Sequence, residues 1–470
     1  MAGITGIGSG LDIKSIVTAM VDAETAPKAS QLARLGKTTE TKLSALGQLQ
    51  GALSTFQTAM KDLNNIALFE NRTATSSNTA LLSATAEKTA LSGTYRVEVE
   101  RLATSSKVTT AALDKDFTAQ AAGSLTIKLG SDDEEPISVA VAKDATLIDI
   151  RDALNEQLKD KGITANIINN PSTGKSQLVF SSKETGDGND VIVESSAGLE
   201  ALSVSGANAS GVDGNGLATS GYLVQAVNAK FSIDGVNLES SSNTVSDAIP
   251  DVSFTLKGKT ATDTPLTVTV GQDEAGVKAQ LKKFVDSYNE FMKVSNQLTA
   301  VTAVGDDQAP VVGGLVGDST VRNLVNGMRS ELGSVTSSGN VRVLADLGIT
   351  TQKDGTLALD DEKFDSVLAT NFDAVGQFFA GDNGLMARMD TRISGYTGED
   401  GIIGSRQKSL QATRTDITAQ TEALTLRAAQ VEARLYKQFN AMDALVGQLN
   451  TTSDRLTQML GNLPGVTSKD

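Results

Sequence analysis

The stretch "GITGIGSGLDI" (residues 3–13) combines closely spaced glycines with Ser9, as phosphate-binding loops and nucleophile turns do. A dinucleotide-binding loop requires G-x-G-x-x-G, but Leu11 stands where the third glycine belongs. A nucleophile elbow requires glycine two residues before the serine, where this chain has Ile7. We therefore interpret the stretch as a flexible lead-in to a helix, with Ser9 and Asp12 forming a loose capping box.

A second stretch, "GDGND" (186–190), suggests a calcium loop because it carries closely spaced oxygen ligands. An EF-hand needs acids at alternate positions and a glutamate that closes the loop, and the spacing of Asp187, Asn189 and Asp190 does not supply them. Val191 already belongs to a strand pattern. The stretch therefore predicts a turn.

The composition excludes most catalytic chemistry. The chain has no cysteine, histidine or tryptophan, so it holds no disulfide, no Ser-His-Asp triad and no zinc site of the usual ligands. A carboxylate-pair or Ser-Lys enzyme remains formally possible, but none of the 56 acidic residues lies in a motif with a known mechanism. We predict that the protein is not an enzyme and uses no cofactor and no metal.

The net charge and the hydropathy of the chain argue against a nucleic-acid partner and against insertion into a membrane. A net charge of −15 and 4% aromatic residues argue against a nucleic-acid partner, which needs cations for phosphates and rings for bases. No apolar run approaches the roughly 18–20 residues of a membrane span, so we predict no membrane insertion. The N-terminal stretch has neither the basic nor the apolar region of a cleavable signal, and we expect none.

Both ends of the 470-residue chain have helical periodicity. A heptad pattern that begins at Leu32 predicts a long helix, which Pro27 separates from a short first helix. A second pattern of sevens predicts another long helix after residue 410. The predicted coiled-coil core is Leu46, Leu49, Leu53, Phe56, Met60, Leu63, Leu410, Ile417, Leu424, Val431 and Leu435. The apolar faces of the two predicted long helices most simply pack against each other.

The middle of the chain alternates apolar and polar residues, as half-buried strands do. Residues 93–103 and 123–194 show this pattern, and 230–240 reads as a hairpin around Asp234-Gly235. Thr146 opens one short helix within this region. The predicted fold class is α+β multidomain: a discontinuous helical bundle or coiled coil built from both chain ends, with β-rich domains inserted between the halves.

Several ordered blocks resemble flagellar filament-capping proteins, the flagellar hook-associated protein 2 family. They are "GIGSGLDIKSIVTAMVDAETAPKASQL", "SGTYRVEVERLATSSK", "AKFSIDGVNLESSSNTVSDAIPDVSFTLKG", "LADLGITTQKDGTLALDDEKF" and "RLYKQFNAMDALVGQLNTTSDRLTQML". Residues 145–186 also resemble a repeat shared by flagellar axial proteins, and no resemblance covers 187–221.

The resemblance implies four parts. These are terminal leg segments (1–40 and 435–470), a helical-bundle domain (41–72 and 273–434), a β-rich inner head domain (73–104 and 222–272), and a β-rich outer head domain (105–221) that contains the axial-protein repeat at about 123–194. We expect residues 1–40 to be disordered or weakly ordered in an isolated subunit, because a short helix without packing partners is marginally stable.

The resemblance also implies a function. The protein would be secreted through the flagellar export channel and would form a closed ring, pentamer before hexamer, at the extracellular distal tip of the filament. There it would retain flagellin and promote its folding and polymerisation, so that the filament elongates. Further partners implied are an export chaperone at the C-terminal helix and host mucin.

In this family the chain ends form a leg that reaches the filament tip. The predicted partner-facing residues are Leu11, Ile13, Ile16, Val17, Met20, Leu445, Leu449, Leu456, Met459 and Leu460. The competing interpretation is that these stripes pack on each other within one subunit. A hook–filament junction or flagellin-like axial protein, and a flagellar adhesin that binds host glycans, remain alternatives.

Overall fold

The chain folds as two compact units in the computed structural model, which describes residues 6, 8–205, 208–261, 264–303, 310–335, 340–398 and 400–461. One unit joins the two chain ends, up to Leu68 and from Glu274 onward, and the other spans Phe69–Asp273. The fold class predicted from the sequence is confirmed, since long helices come from both ends and the strands are concentrated between them. The finer four-part division stays a prediction.

Most of the helices lie in the first unit, whereas Leu147–Leu158 lies in the second. In chain order they are α1 (Ile13–Leu63), α2 (Ile66–Glu70), α3 (Leu147–Leu158), α4 (Glu274–Thr299), α5 (Ser319–Leu332), α6 (Asp361–Phe379), α7 (Leu385–Thr397) and α8 (Ile402–Gly461). Short 3-10 turns lie at Lys159–Lys161, Glu200–Leu202 and Leu344–Leu347. No helix among these described residues is long and apolar enough to cross a membrane.

Helix α1 is continuous, so the prediction that Pro27 separates two helices is wrong. A proline inside a helix costs about 3 kcal/mol, but Ile13 and Val17 before Pro27 and Leu32 after it are buried on the side of α8, and this packing outweighs the local cost. The predicted capping box is also wrong. Asp12 caps α1 by accepting a hydrogen bond from the Ser15 amide, and Ser9 makes a different contact.

Helix α1 changes its packing partner along its length. Its first part lies against α8, but the part from Leu46 to Leu63 packs mainly against α4 and α7. Phe56 is central to this second contact, with its ring centroid 5.5 Å from those of Phe284 and Tyr288. The predicted apolar faces of α1 and α8 therefore pack on each other over only part of α1.

The second unit consists of antiparallel sheets around two apolar clusters. One cluster is covered by a five-stranded sheet and a three-stranded sheet. The five-stranded sheet has the order Arg72–Ser76, Leu266–Gln272, Gly93–Arg101, Ala229–Ile233 and Val236–Ser240. The three-stranded sheet has the order Thr244–Ile249, Val252–Leu256 and Leu82–Ala86. The other cluster lies between α3 and two further sheets. The first of these has three strands, in the order Val191–Ser195, Gly123–Leu129 and Ile137–Val141. The second has the order Gly221–Val224, Ser105–Thr109, Lys175–Thr185 and Leu113–Asp114, and Ile163–Asn170 also pairs with Lys175–Thr185. Two small hairpins belong to the first unit: Val301–Thr302 with Val311–Val312, and Ile349–Thr351 with Leu357–Leu359.

Local predictions in the second unit are confirmed. Thr146 caps α3 in a capping box with Asp149, and the hairpin turns at Asp234-Gly235. The loop at 186–190 is a turn whose acids bind backbone amides: Asp187 accepts a hydrogen bond from the Asn228 amide. Within the part of the chain that the structure describes, no cluster of three acidic side chains is placed to hold a metal ion.

Candidate functional surface on the paired terminal helices

The two chain ends meet in an antiparallel helix pair. We call it the stem: α1 from Ile13 to Glu40, with α8 from Leu410 to Gly461. An apolar cluster holds it together, in which Ile13 and Val17 pack against Val431 and Leu435. All four are buried, and the half-buried Val21, Tyr436 and Phe439 surround them. Farther along, the guanidinium of Arg427 lies 3.0 Å from the carboxylate of Glu24.

This packing corrects part of the predicted partner-facing set. Ile13 and Val17 have no exposed surface, because they face α8 of the same chain. Ile16 is half-buried, whereas Leu11 and Met20 are 44% and 45% exposed. The competing interpretation, packing within one subunit, therefore holds for Ile13 and Val17.

The glycine-rich lead-in folds back onto α8. The carboxylate of Asp443 accepts hydrogen bonds from the amide of Gly8 (3.2 Å), the amide of Ser9 (2.7 Å) and the hydroxyl of Ser9 (2.5 Å). The side-chain amide of Asn450 donates to the carbonyl of Gly8 at 2.9 Å. We call this set of contacts, including Gly447 beside them, the clasp. The hydrogen bond from the Ser9 hydroxyl, followed by those from backbone amides, holds the pKa of Asp443 below its ordinary value.

Glycine is required in the clasp because two backbones approach closely. A Cβ atom on Gly8 would overlap the carbonyl oxygen of Asp443 and would lie 3.0 Å from the Cα of Gly447. A Cβ on Gly447 would in turn lie 3.3 Å from the Cα of Gly8. The glycines that suggested a phosphate loop thus serve a contact between backbones. Sequence reasoning missed Asp443, because no local signal links residues 434 apart.

Beyond the clasp, α8 continues without a described partner. Every residue from 451 to 461 is exposed, over a length of about 16 Å. The distal stripe, our name for the five predicted residues on this end, is 54% to 70% exposed. It comprises Leu445, Leu449, Leu456, Met459 and Leu460. At 100° per residue these side chains lie within about 100° of the helix circumference, on a face separate from that of Asp443, Gly447 and Asn450.

A second apolar feature lies along the stem between α1 and α8. It is a groove of about 640 Å³, which we call the stem groove. Its floor includes the buried Leu32 and the half-buried Ile417 and Leu424. Its walls are mostly small residues, namely Thr25, Ala29, Ala33, Gly36, Thr421, Thr425 and Ala428, and Lys37 and Glu40 complete its lining. Small side chains leave the space between the two helices unfilled.

The predicted coiled-coil residues fall into two groups. Fully buried positions dominate the second half of α1, and the α8 positions become less buried toward its start. The fully buried residues are Leu46, Leu49, Leu53, Phe56, Met60 and Leu63. On α8, Val431 and Leu435 are buried, but Leu410, Ile417 and Leu424 are half-buried because they border the stem groove or solvent.

A helical unit built from both chain ends, with one end of a long helix exposed among the described residues, is typical of a structural protein that assembles with other chains. Family models agree with this class. The model described as flagellar hook-associated protein 2 N-terminus matches residues 9–106, and that of the C-terminus matches 226–451. The flagellin hook IN motif matches 124–184. The chain belongs to the flagellar hook-associated protein 2 family.

Individual relatives support the same conclusion. The A-type flagellar hook-associated protein 2 of Pseudomonas aeruginosa is 50% identical over 99% of this chain and 98% of its own. The Escherichia coli flagellar hook-associated protein 2 is 34% identical, covering 97% of each chain. The crystal structure of the flagellar cap protein FliD D1-D2-D3 domains from Escherichia coli matches with a TM-score of 0.56 and 31% identity, over 78% of this chain and 99% of that one. The family is structural and is not enzymatic.

Proposed function

We propose that this chain is a subunit of the cap at the distal end of the bacterial flagellar filament, where it retains exported flagellin and promotes its folding and polymerisation. The observation that carries the proposal is the distal stripe on the bare end of α8. An apolar face of this kind at the end of a helix pair is suited to contact another protein. The resemblance to a solved flagellar cap protein supports that assignment.

The distal stripe is large enough to anchor a subunit. Fully burying one leucine or methionine side chain stabilises a complex by about 1.5–3 kcal/mol. Since more than half of each of the five side chains is exposed, covering the stripe would contribute about 5–9 kcal/mol before the cost of association. Leu11 and Met20 on α1, also exposed, extend the candidate contact surface.

The family resemblance extends the proposal to assembly and export. Copies of the chain form a closed ring, for which heterologous contacts must close after a fixed number of steps, and a pentamer is favoured over a hexamer. The subunit travels through the flagellar export channel, and an export chaperone covers the C-terminal helix before assembly. A chain without cysteine suits that route, because no disulfide can form before it folds outside the cell.

The test compares two matched double variants in a strain that lacks the native protein. Leu449→Asp with Leu456→Asp places two charges on the distal stripe. Thr451→Asp with Gln458→Asp places the same charges at the same spacing on the opposite face of α8, where both positions are exposed. We expect the first pair to prevent filament growth and release flagellin into the medium, and the second pair to allow filaments.

Circular dichroism and thermal unfolding of both purified variants verify that each remains folded. Filaments of normal length with the folded Leu449/Leu456 variant would show that the distal stripe does not anchor the cap. Failure of both variants to fold would assign these residues to structural stability and remove the observation on which the proposal depends.

A further inference from the structure

We propose that a pocket between α4 and α5 binds the carboxylate group of a ligand that carries a single negative charge. The pocket has a volume of about 340 Å³, near the lower limit for small-molecule sites. It is lined by Ser295, Asn296 and Thr299 on α4 and by Arg322, Asn326 and Arg329 on α5. Because the pocket lies outside the stem, its role is independent of the distal stripe and of the proposed capping function.

The pocket contains a buried hydroxyl group that lacks a partner. Ser295 is only 2% exposed, and its Oγ makes no hydrogen bond within the part of the chain that the structure describes. The Tyr288 hydroxyl, two turns earlier on the same side of α4, is also buried and forms no such bond with any described residue. Burial raises the pKa of Tyr288, and the nearby charge of Arg329 opposes this shift only in part, so the hydroxyl stays protonated at neutral pH. A buried donor without an acceptor is costly, and a ligand oxygen bound by Ser295 would remove that cost.

Two arginine side chains lie at the rim of the same pocket. Arg322 and Arg329 are exposed, lie about 10 Å apart along α5 and share one side of that helix. Neither guanidinium forms a salt bridge with a carboxylate of the described residues. Gly355 leaves room for Arg329, since a Cβ atom on Gly355 would overlap Nη2 of the guanidinium. A guanidinium presents paired N–H donors that match the two oxygens of a carboxylate, so the pocket offers donors from its rim and from its buried side.

The charges around the pocket favour a ligand with one negative charge. Asp318 is paired with Arg406, whose guanidinium lies 2.6 Å from its carboxylate, so these two charges cancel. A further acidic neighbour is Asp354, which interacts electrostatically with Arg329. The two rim arginines therefore outweigh Asp354 by one positive charge, in a chain whose net charge is −15. One carboxylate balances this surplus, whereas a doubly charged phosphate would leave a negative charge facing Asp354.

Saturation-transfer NMR, which observes the ligand, tests binding to the full-length protein whatever its assembly size. The probes are acetate and N-acetylglutamate N-methylamide, in which only the side chain is charged, and N-acetylglutamine N-methylamide is the neutral control. We expect both carboxylates to bind at least tenfold more tightly than the neutral control. Tighter binding of the blocked glutamate than of acetate would identify the source as an acidic side chain of another protein, and equal binding would identify a free small carboxylate. Tighter binding of inorganic phosphate than of either carboxylate would overturn the choice of a singly charged ligand.

Three variants assign the binding to this pocket. Ser295→Ala removes the buried donor and Arg329→Gln removes a rim charge, and each should weaken binding of the carboxylates by about tenfold. Lys293→Gln is the matched control, because it removes the same charge from an exposed side chain on the opposite face of α4, two residues from Ser295. It should change the affinity less than about twofold. Equal weakening by Lys293→Gln and Arg329→Gln would show a general attraction of anions and would refute the pocket.

A fourth variant separates a binding site from a merely structural role. Asp354→Asn removes the negative neighbour of Arg329 and should tighten carboxylate binding about threefold, a gain that loss of folding cannot produce. Circular dichroism verifies that all four variants remain folded. If none of the carboxylates binds, or if Ser295→Ala and Arg329→Gln bind them as tightly as the unmodified protein, the pocket holds water only and the proposal is wrong.

Discussion

The apolar cluster of the stem should determine whether the first turns of α1 stay folded. Ile13 and Val17 are the α1 side chains in that cluster, and both are completely buried against Val431 and Leu435. Replacing a buried isoleucine with alanine costs about 2–5 kcal/mol. Since this cluster is small and partly open at its edges, we expect Ile13→Ala to cost about 2 kcal/mol, near the lower limit.

The loss should be local. The second half of α1 has its own core, in which Phe56 packs against Phe284 and Tyr288, and none of these three residues belongs to the stem cluster. Local opening of residues 13–25 should therefore become easier while the main unfolding transition stays in place. At 1.4 kcal/mol per factor of ten, amide hydrogen exchange in this segment should accelerate about 30-fold.

Hydrogen exchange followed by mass spectrometry measures this directly, because peptides from 13–25 and from 46–63 report separately. Met20→Ala is the matched control: it removes an exposed side chain from the same helix and should change exchange less than about threefold. Unchanged exchange in Ile13→Ala would refute the view that this cluster stabilises the start of α1, and equal acceleration in both peptides would refute the view that the loss is local.

Four further outcomes are expected. Gly8→Ala should detach the lead-in, because its Cβ would overlap the carbonyl oxygen of Asp443; an unchanged NMR shift of the Ser9 amide would contradict this. The clasp should persist at neutral pH and weaken only as the pH falls below the ordinary range of a carboxyl group and through the lowered pKa of Asp443, and Asp443→Asn should remove that pH dependence of the Ser9 amide shift. Pro27→Ala should stabilise α1 by up to about 3 kcal/mol, seen as slower exchange around residue 27 and refuted by faster exchange. Deleting residues 445–470 should leave the main thermal transition unchanged but stop filament growth, whereas a truncated chain unfolded throughout would mean that these residues are core.

The parts of the fold that could be predicted are those with local causes. Thr146 and Asp149 form a capping box within one turn, and Asp234-Gly235 supplies the positive φ angles that its hairpin needs. The amphipathic pattern of α4 follows from one apolar face, which packs on α1. Each signal lies within a few residues of the structure that it specifies.

The errors arise where distant contacts decide the outcome. Pro27 is a helix breaker by local rules, yet α1 passes through it because buried residues before and after it pack along α8. The predicted cap at Ser9 is wrong because the Ser9 hydroxyl donates to Asp443 at the other end of the chain, and Asp12 caps α1 instead. The heptad pattern of α1 did not reveal that its partner changes from α8 to α4, because both surfaces require the same apolar residues.

These long-range contacts explain why the chain presents its distal stripe to solvent. The clasp binds Gly8 and Ser9 to the face of α8 that carries Asp443, Gly447 and Asn450, and this face is separate from the one that carries the stripe. The helix remains regular beyond the clasp because its earlier turns are already formed, and each added residue pays no new nucleation cost. The sequence thus builds an ordered apolar face with no partner in its own described chain, and such a face gains most of its stabilisation only when another molecule covers it.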